Sequence, residues 1–244
     1  MVRRPAPRSA PTPPPTDGPQ AGGSGGATER DRIIDAFMAL LAEKSIDDIS
    51  LIEIAARADL SLAQLRDTFS SPLAILAAHV KQIDRTVLAG GDADMADEPV
   101  RERLFDVLMR RLELMADDKD AIRSLMRSAR RNPGLALVLN RLTVESQQWM
   151  LSAAGIAAAG PTGLLRAQGL ALLYARVLDT WVNDDDPGLA RTMAALDRAL
   201  ARGQRWAGLL DDLCNLTPGR CLSRRSRRRR RDDDAGEQAV VTGV

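Results

Sequence analysis

The chain has 244 residues, of which 45% are hydrophobic and 3% aromatic, and its formal net charge is +1. This length allows a substantial core, and the abundance of Ala and Leu favours helices over sheets. No segment is apolar for long enough to span a bilayer, and the N-terminus lacks the apolar stretch of a secretory signal. We therefore expect a cytoplasmic, all-α protein.

Residues 1–27 are rich in Pro, Gly, Ser and Thr, and we expect them to form a disordered tail. Residues 217–244 contain the basic run Arg224–Arg231 and are predicted to form a second disordered tail. The charge from residue 1 to 28 is +2 and that from 218 to 244 is +4, so the part between them is at −5. Cys214 and Cys221 lack a metal-like pattern and are interpreted as free thiols.

The folded part is predicted to begin with a helix capped by Thr28. Residues 50–69 then read as two short helices joined by a tight turn, with Asp59 ending the first helix and Ser61 capping the second. This is the layout of a helix-turn-helix, whose second helix can enter a DNA major groove. The apolar residues expected to form the core of this head are Ile33, Ile34, Phe37, Leu40, Leu41, Leu51, Ile54, Ala55, Leu65 and Phe69.

Pro72 begins a long connector helix, which is followed by an acidic loop at residues 90–99. Periodicity then predicts helices over residues 101–115, around Ile122, and over residues 135–154, 164–182 and 187–213. The breaks between them are assigned to Asn132–Gly134, Gly160–Gly163 and Asn183–Asp186, and Pro187 is expected to begin the last helix. The domain limits that follow are 28–89 for the head with its connector and 98–216 for a larger helical body. Two long helices at the end of such a chain predict a homodimer that pairs through them.

The head resembles the TetR family of bacterial regulators. The matching residues are Arg32–Ala36, Leu41–Lys44, Ile54, Ala55, Ala58, Ser61, Leu65, Phe69 and Leu73–Leu76. The resemblance implies a three-helix DNA-binding head joined to a larger helical domain that binds a ligand and dimerises. The function that it implies is a ligand-responsive repressor that binds a palindromic operator in double-stranded DNA.

The DNA contacts are expected at the starts of the second and third helices and along the outer face of the third. Gln64, Arg66 and Thr68 are the candidates for reading base edges, and Asp67 would face phosphate or cytosine. Between Glu29 and Ser71 the chain has five basic and nine acidic residues, so the net charge of the head is −4. An acidic head lacks much of the electrostatic attraction to phosphate that DNA-binding domains usually have. The residues assigned to the interface are Ser50, Ser61, Leu62, Ala63, Gln64, Arg66, Asp67 and Thr68.

A second resemblance provides the alternative function. The body resembles the TetR-fold lipid-binding accessory proteins of coenzyme Q biosynthesis, which implies a protein that holds a lipid or quinone intermediate and no longer binds DNA. The residues that carry this resemblance are Arg101–Leu104, Arg110–Leu112, Lys119, Ala121–Arg123, Trp149, Ala153–Gly155 and Thr192–Leu200.

The ligand expected in the body is an apolar small molecule or lipid held by soft, adaptable side chains. The residues assigned to this pocket are Met109, Met126, Trp149, Met150, Tyr174 and Trp181, with Asn140, Gln147 and Gln148 as further polar groups. No cofactor, metal site or catalysis is expected. His79 is the only histidine, and Asp184–Asp186 is interpreted as a solvated turn.

Overall fold

The chain folds into helices, and no strand occurs among the described residues. The computed structural model describes residues 28–91, 95 and 97–216, with side chains described as far as Gly203. The all-α prediction is confirmed. The helices are α1 (Glu29–Glu43), α2 (Leu51–Arg57), α3 (Leu62–Thr68), α4 (Pro72–Ala89), α5 (Val100–Leu114), α6 (Lys119–Arg131), α7 (Pro133–Ala153), α8 (Gly160–Trp181) and α9 (Ala190–Leu216), with 3₁₀ turns at Ile46–Asp48 and Ala116–Asp118.

Helices α1 to α3 form the head around a core that is close to the predicted one. Thr28 caps α1 and exchanges hydrogen bonds with Asp31, as a capping box does. The predicted apolar stripe of α1 is buried, together with Ile54 and Ala55 of α2 and with Leu65 and Phe69. Leu51 differs from the prediction, because it lies at the start of α2 with 41% of its surface exposed.

The head and the body share a packed boundary. Helix α6 lies against α1, where the Ser124 hydroxyl donates to the Lys44 carbonyl at 2.9 Å and the Ser45 and Ser128 hydroxyls are 2.9 Å apart. Ala121 of α6 is part of the head's apolar core. The domain limits 28–89 and 98–216 therefore stay a prediction about folding units, since the apolar cluster of the head continues past residue 98.

The body packs α7 against α8 and α8 against α9 around a second apolar core. His79 of α4 bonds through Nε2 to Asp118 at 2.9 Å, which ties the connector helix to the turn before α6. Two basic side chains of α6 donate to backbone carbonyls at and just after the C-terminal end of α8. Lys119 donates to the Asp184 carbonyl at 2.6 Å, and Arg123 donates to the Val182 carbonyl.

Three helix starts differ from the predicted ones. The sequence pattern predicts breaks at Pro133 and Pro161, but both prolines lie in the first turns of α7 and α8, where a missing N–H costs no helical hydrogen bond. Pro187 does not begin α9, which starts at Ala190. The acidic turn before α9 is not wholly solvated, because Asp184 is buried.

The Asp184 carboxylate has a capping role in this turn. It accepts from the Thr192 hydroxyl at 2.6 Å and from the Thr192 N–H at 2.8 Å. These bonds lower the pKa of the Asp184 carboxyl, and the bond from the Thr192 hydroxyl has the largest effect.

Several sequence predictions lie outside the described residues. They are the two disordered tails, Cys221, the Arg224–Arg231 run and the side chain of Cys214. Within the described part of the chain, none of the helices has the length and apolar character that crossing a membrane requires.

Candidate nucleic-acid interface and ligand cavity

Helices α2 and α3 have the arrangement of a helix-turn-helix. Ser50 and Ser61 cap the two helices, and each forms a capping box with the residue three positions later, Glu53 and Gln64. The turn bends at Asp59, whose φ of 55° is in the left-handed region that Asp tolerates better than most residues. Leu65 of α3 is 2% exposed and anchors that helix in the core. The sequence-assigned DNA residues therefore lie along α3, at its cap Ser61 and at the cap of α2, Ser50.

The outer face of α3 is exposed, but part of it is engaged in local bonds. The Gln64 amide oxygen accepts from the Ser61 N–H and hydroxyl at 3.0 and 2.8 Å, so this side chain serves the cap. The Thr68 hydroxyl donates to the Gln64 carbonyl at 3.1 Å, and Arg66 donates to the Ser70 carbonyl at 3.4 Å. Leu62, Ala63, Arg66 and Asp67 are the exposed side chains of α3 that are not held in a cap.

Most basic side chains of the head are engaged within it. Lys44 pairs with Glu53, and Arg57 pairs with Glu43 at 2.7 Å. The bond from Lys44, followed by those from Ser50, lowers the pKa of Glu53 to about 2. Arg32 donates to the Ala58 carbonyl, and the guanidinium carbon of Arg30 lies 4.8 Å from the centre of the Phe69 ring.

An open cleft of about 680 Å³ lies where α3 ends and α4 begins. Arg30, Arg66 and Asp67 are among the residues that line it. The cleft therefore joins the exposed arginine of α3 to the first turn of α1, on the same side of the head as the predicted interface.

The six residues assigned to a ligand pocket lie in different environments. Four of them are packed into the core of the body, and Met126 is half-buried at its edge. Trp149 points outward, with 56% of its surface exposed. The four buried residues are Met109, Met150, Tyr174 and Trp181.

Polar side chains from three helices meet within this core. Arg111 of α5 approaches Asp84 of α4 at 3.2 Å, and Ser146 of α7 donates to the same carboxylate at 2.8 Å. The Arg111 guanidinium also lies 5.6 Å from the centre of the Tyr174 ring. Burial raises the pKa of Tyr174 to about 12 and raises that of Asp84 from its ordinary value, although Arg111 lowers both.

A cavity of about 760 Å³ lies between α5, α8 and α9. Its apolar wall includes the buried residues Leu104, Leu151, Leu170, Val177 and Leu200. Its lining holds no Asp or Glu among the described residues and includes five arginines, so we call it the arginine-rimmed cavity. The arginines are Arg101, Arg166, Arg176, Arg198 and Arg202.

Sequence reasoning missed this cavity, since none of the six predicted pocket residues lines it. A signal was present in α8, where Arg166, Gly169, Leu173 and Arg176 recur at helical spacing and place cations beside an open apolar strip. Among the described residues, no group of three potential metal ligands occurs.

Comparisons with known proteins identify the fold. Neither a family model nor a curated protein sequence matches the chain. A TetR transcriptional regulator from Nitrosomonas europaea superimposes with a TM-score of 0.58 at 22% identity, covering 72% of this chain and 98% of that one. A TetR-family regulator from a Rhodococcus species superimposes with a TM-score of 0.51 at 18% identity, covering 71% and 97%. The chain therefore has the TetR-regulator fold.

Proposed function

We propose that this protein, which has the fold of TetR regulators, is a dimeric DNA-binding repressor that responds to a ligand bound in its body. The observation that carries this proposal is the presentation of α3. Leu65 fixes the helix against the head core, while Leu62, Ala63, Arg66 and Asp67 remain exposed on its outer face. A short, rigidly packed helix with one free face is what major-groove recognition requires.

The contacts on DNA divide by position. Arg66 and Asp67 are the side chains of α3 with polar groups that can reach base edges, and Arg66 prefers guanine. Ser50, Ser61, Gln64 and Thr68 hold the two helices in place through their caps and local bonds. Leu62 and Ala63 would supply apolar contact, for example with thymine methyl groups.

Dimerisation through α8 and α9 completes the proposal. Leu164, Leu165 and Leu172 of α8 are each more than half exposed, and Met193 of α9 is 39% exposed. Exposed apolar side chains on the last two helices support an isologous contact, which would set the spacing of the two α3 helices on a palindrome.

The test is genome-wide capture of DNA bound by the protein, followed by binding to any enriched site. Arg66→Ala should weaken that binding by about 1–3 kcal/mol if Arg66 reads a base. The matched control is Arg85→Ala, which removes an exposed arginine about 20 Å along α4 from its start. Equal binding by wild type and Arg66→Ala would contradict the assignment of α3 as the reading helix.

The second candidate is a TetR-fold carrier of a lipid or quinone intermediate of ubiquinone biosynthesis that does not bind DNA. Two observations favour it, namely an acidic head whose Lys44 and Arg57 are already paired and an apolar cavity in the body. The same capture experiment separates the candidates. No enriched site, together with a lipid that co-purifies in native mass spectrometry, would favour the carrier.

A further inference from the structure

We propose that the arginine-rimmed cavity binds an anionic amphiphile, in which an apolar chain ends in a carboxylate or phosphate group. The inference deepens the ligand-binding part of the proposed function, because it gives the ligand a charge and a site. It is independent of DNA binding, since the cavity lies in the body between α5, α8 and α9.

The wall of the cavity fits an apolar chain. Leu104, Leu170 and Val177 belong to the body core and are at least 92% buried, yet they also line the cavity. The cavity thus lies directly against the body core, and an apolar chain placed there leaves water for an apolar surface. Its volume of about 760 Å³ is within the range of small-molecule sites, which is about 300–1,000 Å³.

The charges of the cavity favour an anionic ligand. Arg101 is already paired with Asp197 of α9, and Arg166 donates to the Ala157 carbonyl at 3.3 Å. The remaining three form no ion pair with the described side chains; they are Arg176, Arg198 and Arg202. Guanidinium groups bind carboxylate and phosphate through paired, charge-assisted hydrogen bonds. These three arginines are exposed at the rim, so an anionic head group can form charge-assisted bonds there that a neutral lipid or quinone cannot form.

A second copy of the chain, paired through α8 and α9 as proposed above, would lie beside the cavity, because Leu165 and Leu172 are exposed there. The charges that line the cavity show that such a contact needs a further, negatively charged group. A two-fold contact would bring the same arginines of both protomers towards each other, and the described part of the lining offers no carboxylate to pair with them. An anionic head group in each cavity supplies the missing negative charge.

The first experiment is calorimetric titration of the full-length protein with dodecanoate below its micelle concentration. The neutral ligand 1-dodecanol has the same chain and serves as its match. We expect dodecanoate to bind at least about tenfold more tightly, since charge-assisted hydrogen bonds distinguish the two ligands. Equal affinity for the acid and the alcohol, or no binding of either, would overturn the proposal.

Paired variants locate the head group. Arg198→Ala/Arg202→Ala should weaken dodecanoate binding about tenfold or more and leave dodecanol binding unchanged. Arg127→Ala/Arg131→Ala removes two exposed arginines of α6 that do not line the cavity, so it should bind dodecanoate as the wild type does. Unchanged binding by the first variant, or equal losses in both, would exclude these arginines as the head-group site.

A cavity-filling variant locates the chain. A Cβ added at Gly169 meets no atom within 4 Å, and Gly169 lines the cavity, so Gly169→Leu adds apolar volume there and gains helix propensity. We expect its thermal midpoint to be no lower than that of the wild type and its affinity for both ligands to fall at least about tenfold, because the added side chain takes space from the apolar chain. A Gly169→Leu protein that becomes monomeric but still binds dodecanoate would assign the cavity to a second copy. A protein that binds no DNA would still give the expected results in these ligand-binding experiments. The ligand proposal and the DNA-binding proposal can therefore fail separately.

Discussion

Asp84, Arg111 and Ser146 place a charged pair in the apolar interior of the body. The Asp84 and Arg111 side chains are 10% and 5% exposed, so each ion depends on its partner. Removing one member of a buried pair leaves the other charge unpaired, which costs about 3–5 kcal/mol. We expect Asp84→Ala to lower the free energy of unfolding by that amount in urea denaturation at neutral pH.

The control for this change is Asp106→Ala. Asp106 pairs with Arg110 at 2.7 Å, but its side chain is 37% exposed, and pairs at the surface contribute about 1 kcal/mol or less. Similar losses from Asp84→Ala and Asp106→Ala would show that burial of the first pair has no special energetic weight.

The Asp84 carboxyl is also expected to make the stability of the protein depend on pH. Burial raises the pKa of Asp84 above its ordinary value of 3.8, against the opposing effects of Arg111 and Ser146. A raised folded-state pKa means that the folded protein holds the proton more tightly than the unfolded chain does. The stabilising contribution of protonated Asp84 is therefore complete below pH 3.8 and is lost as the pH rises through the folded-state pKa.

Urea denaturation of the wild type and Asp84→Asn across this acidic range measures the effect. The wild-type free energy of unfolding minus that of the variant should fall as the pH rises above 3.8, because Asn does not titrate. A difference that increases with pH would mean that Arg111 outweighs burial and lowers the pKa of Asp84.

At the level of the helices, two glycines of α8 have opposite roles. A Cβ at Gly163 would lie 2.2 Å from the Ala158 backbone, whereas one at Gly169 meets open space. Gly163→Ala should therefore destabilise the protein by about 1–3 kcal/mol through overpacking. Gly169→Ala should stabilise it by about 0.5–1 kcal/mol, because alanine is the better helix former. Thermal denaturation of both variants checks the signs, and two shifts in the same direction would contradict the packing of α8 against the segment before it.

The helices themselves were predictable from apolar periodicity, and their starts were less so. The capping residues Thr28, Ser50 and Ser61 were identified because each precedes an apolar run at helical spacing. A proline, however, occurs both in a break and in a first helical turn. Pro133 lies in such a turn, while Pro187 lies in the loop before α9.

The arginine-rimmed cavity as a whole could not be assembled from the sequence, although α8 carries part of its signal. Its cations are separated by up to about a hundred positions along the chain, from Arg101 to Arg202. Only the packing of α8 against α9 brings them together around one opening. Trp149 shows the reverse case, since a tryptophan at an apolar helical position was expected inside and is exposed.

Across the whole molecule, charge is separated between the head and the chain ends. The head from Glu29 to Ser71 is at −4, and its Lys44 and Arg57 are paired with glutamates. The basic run Arg224–Arg231 brings seven arginines at the other end of the sequence. Phosphate neutralisation on DNA would therefore depend on the terminal run more than on the head, while any sequence preference would depend on α3.

This separation predicts how salt acts on the full chain and on a chain truncated after Leu216. Each arginine of the terminal run that contacts a phosphate steepens the slope of log affinity against log salt by about 0.9. We expect the truncated protein to show a shallower slope and weaker binding at low salt, with the same preference for its enriched site over scrambled DNA. Fluorescence anisotropy with both DNAs at several salt concentrations measures the two properties together. Equal salt slopes for the full and the truncated protein would mean that the phosphate contacts come from the folded part. Loss of the preference for the enriched site on truncation would mean that α3 does not read the DNA sequence.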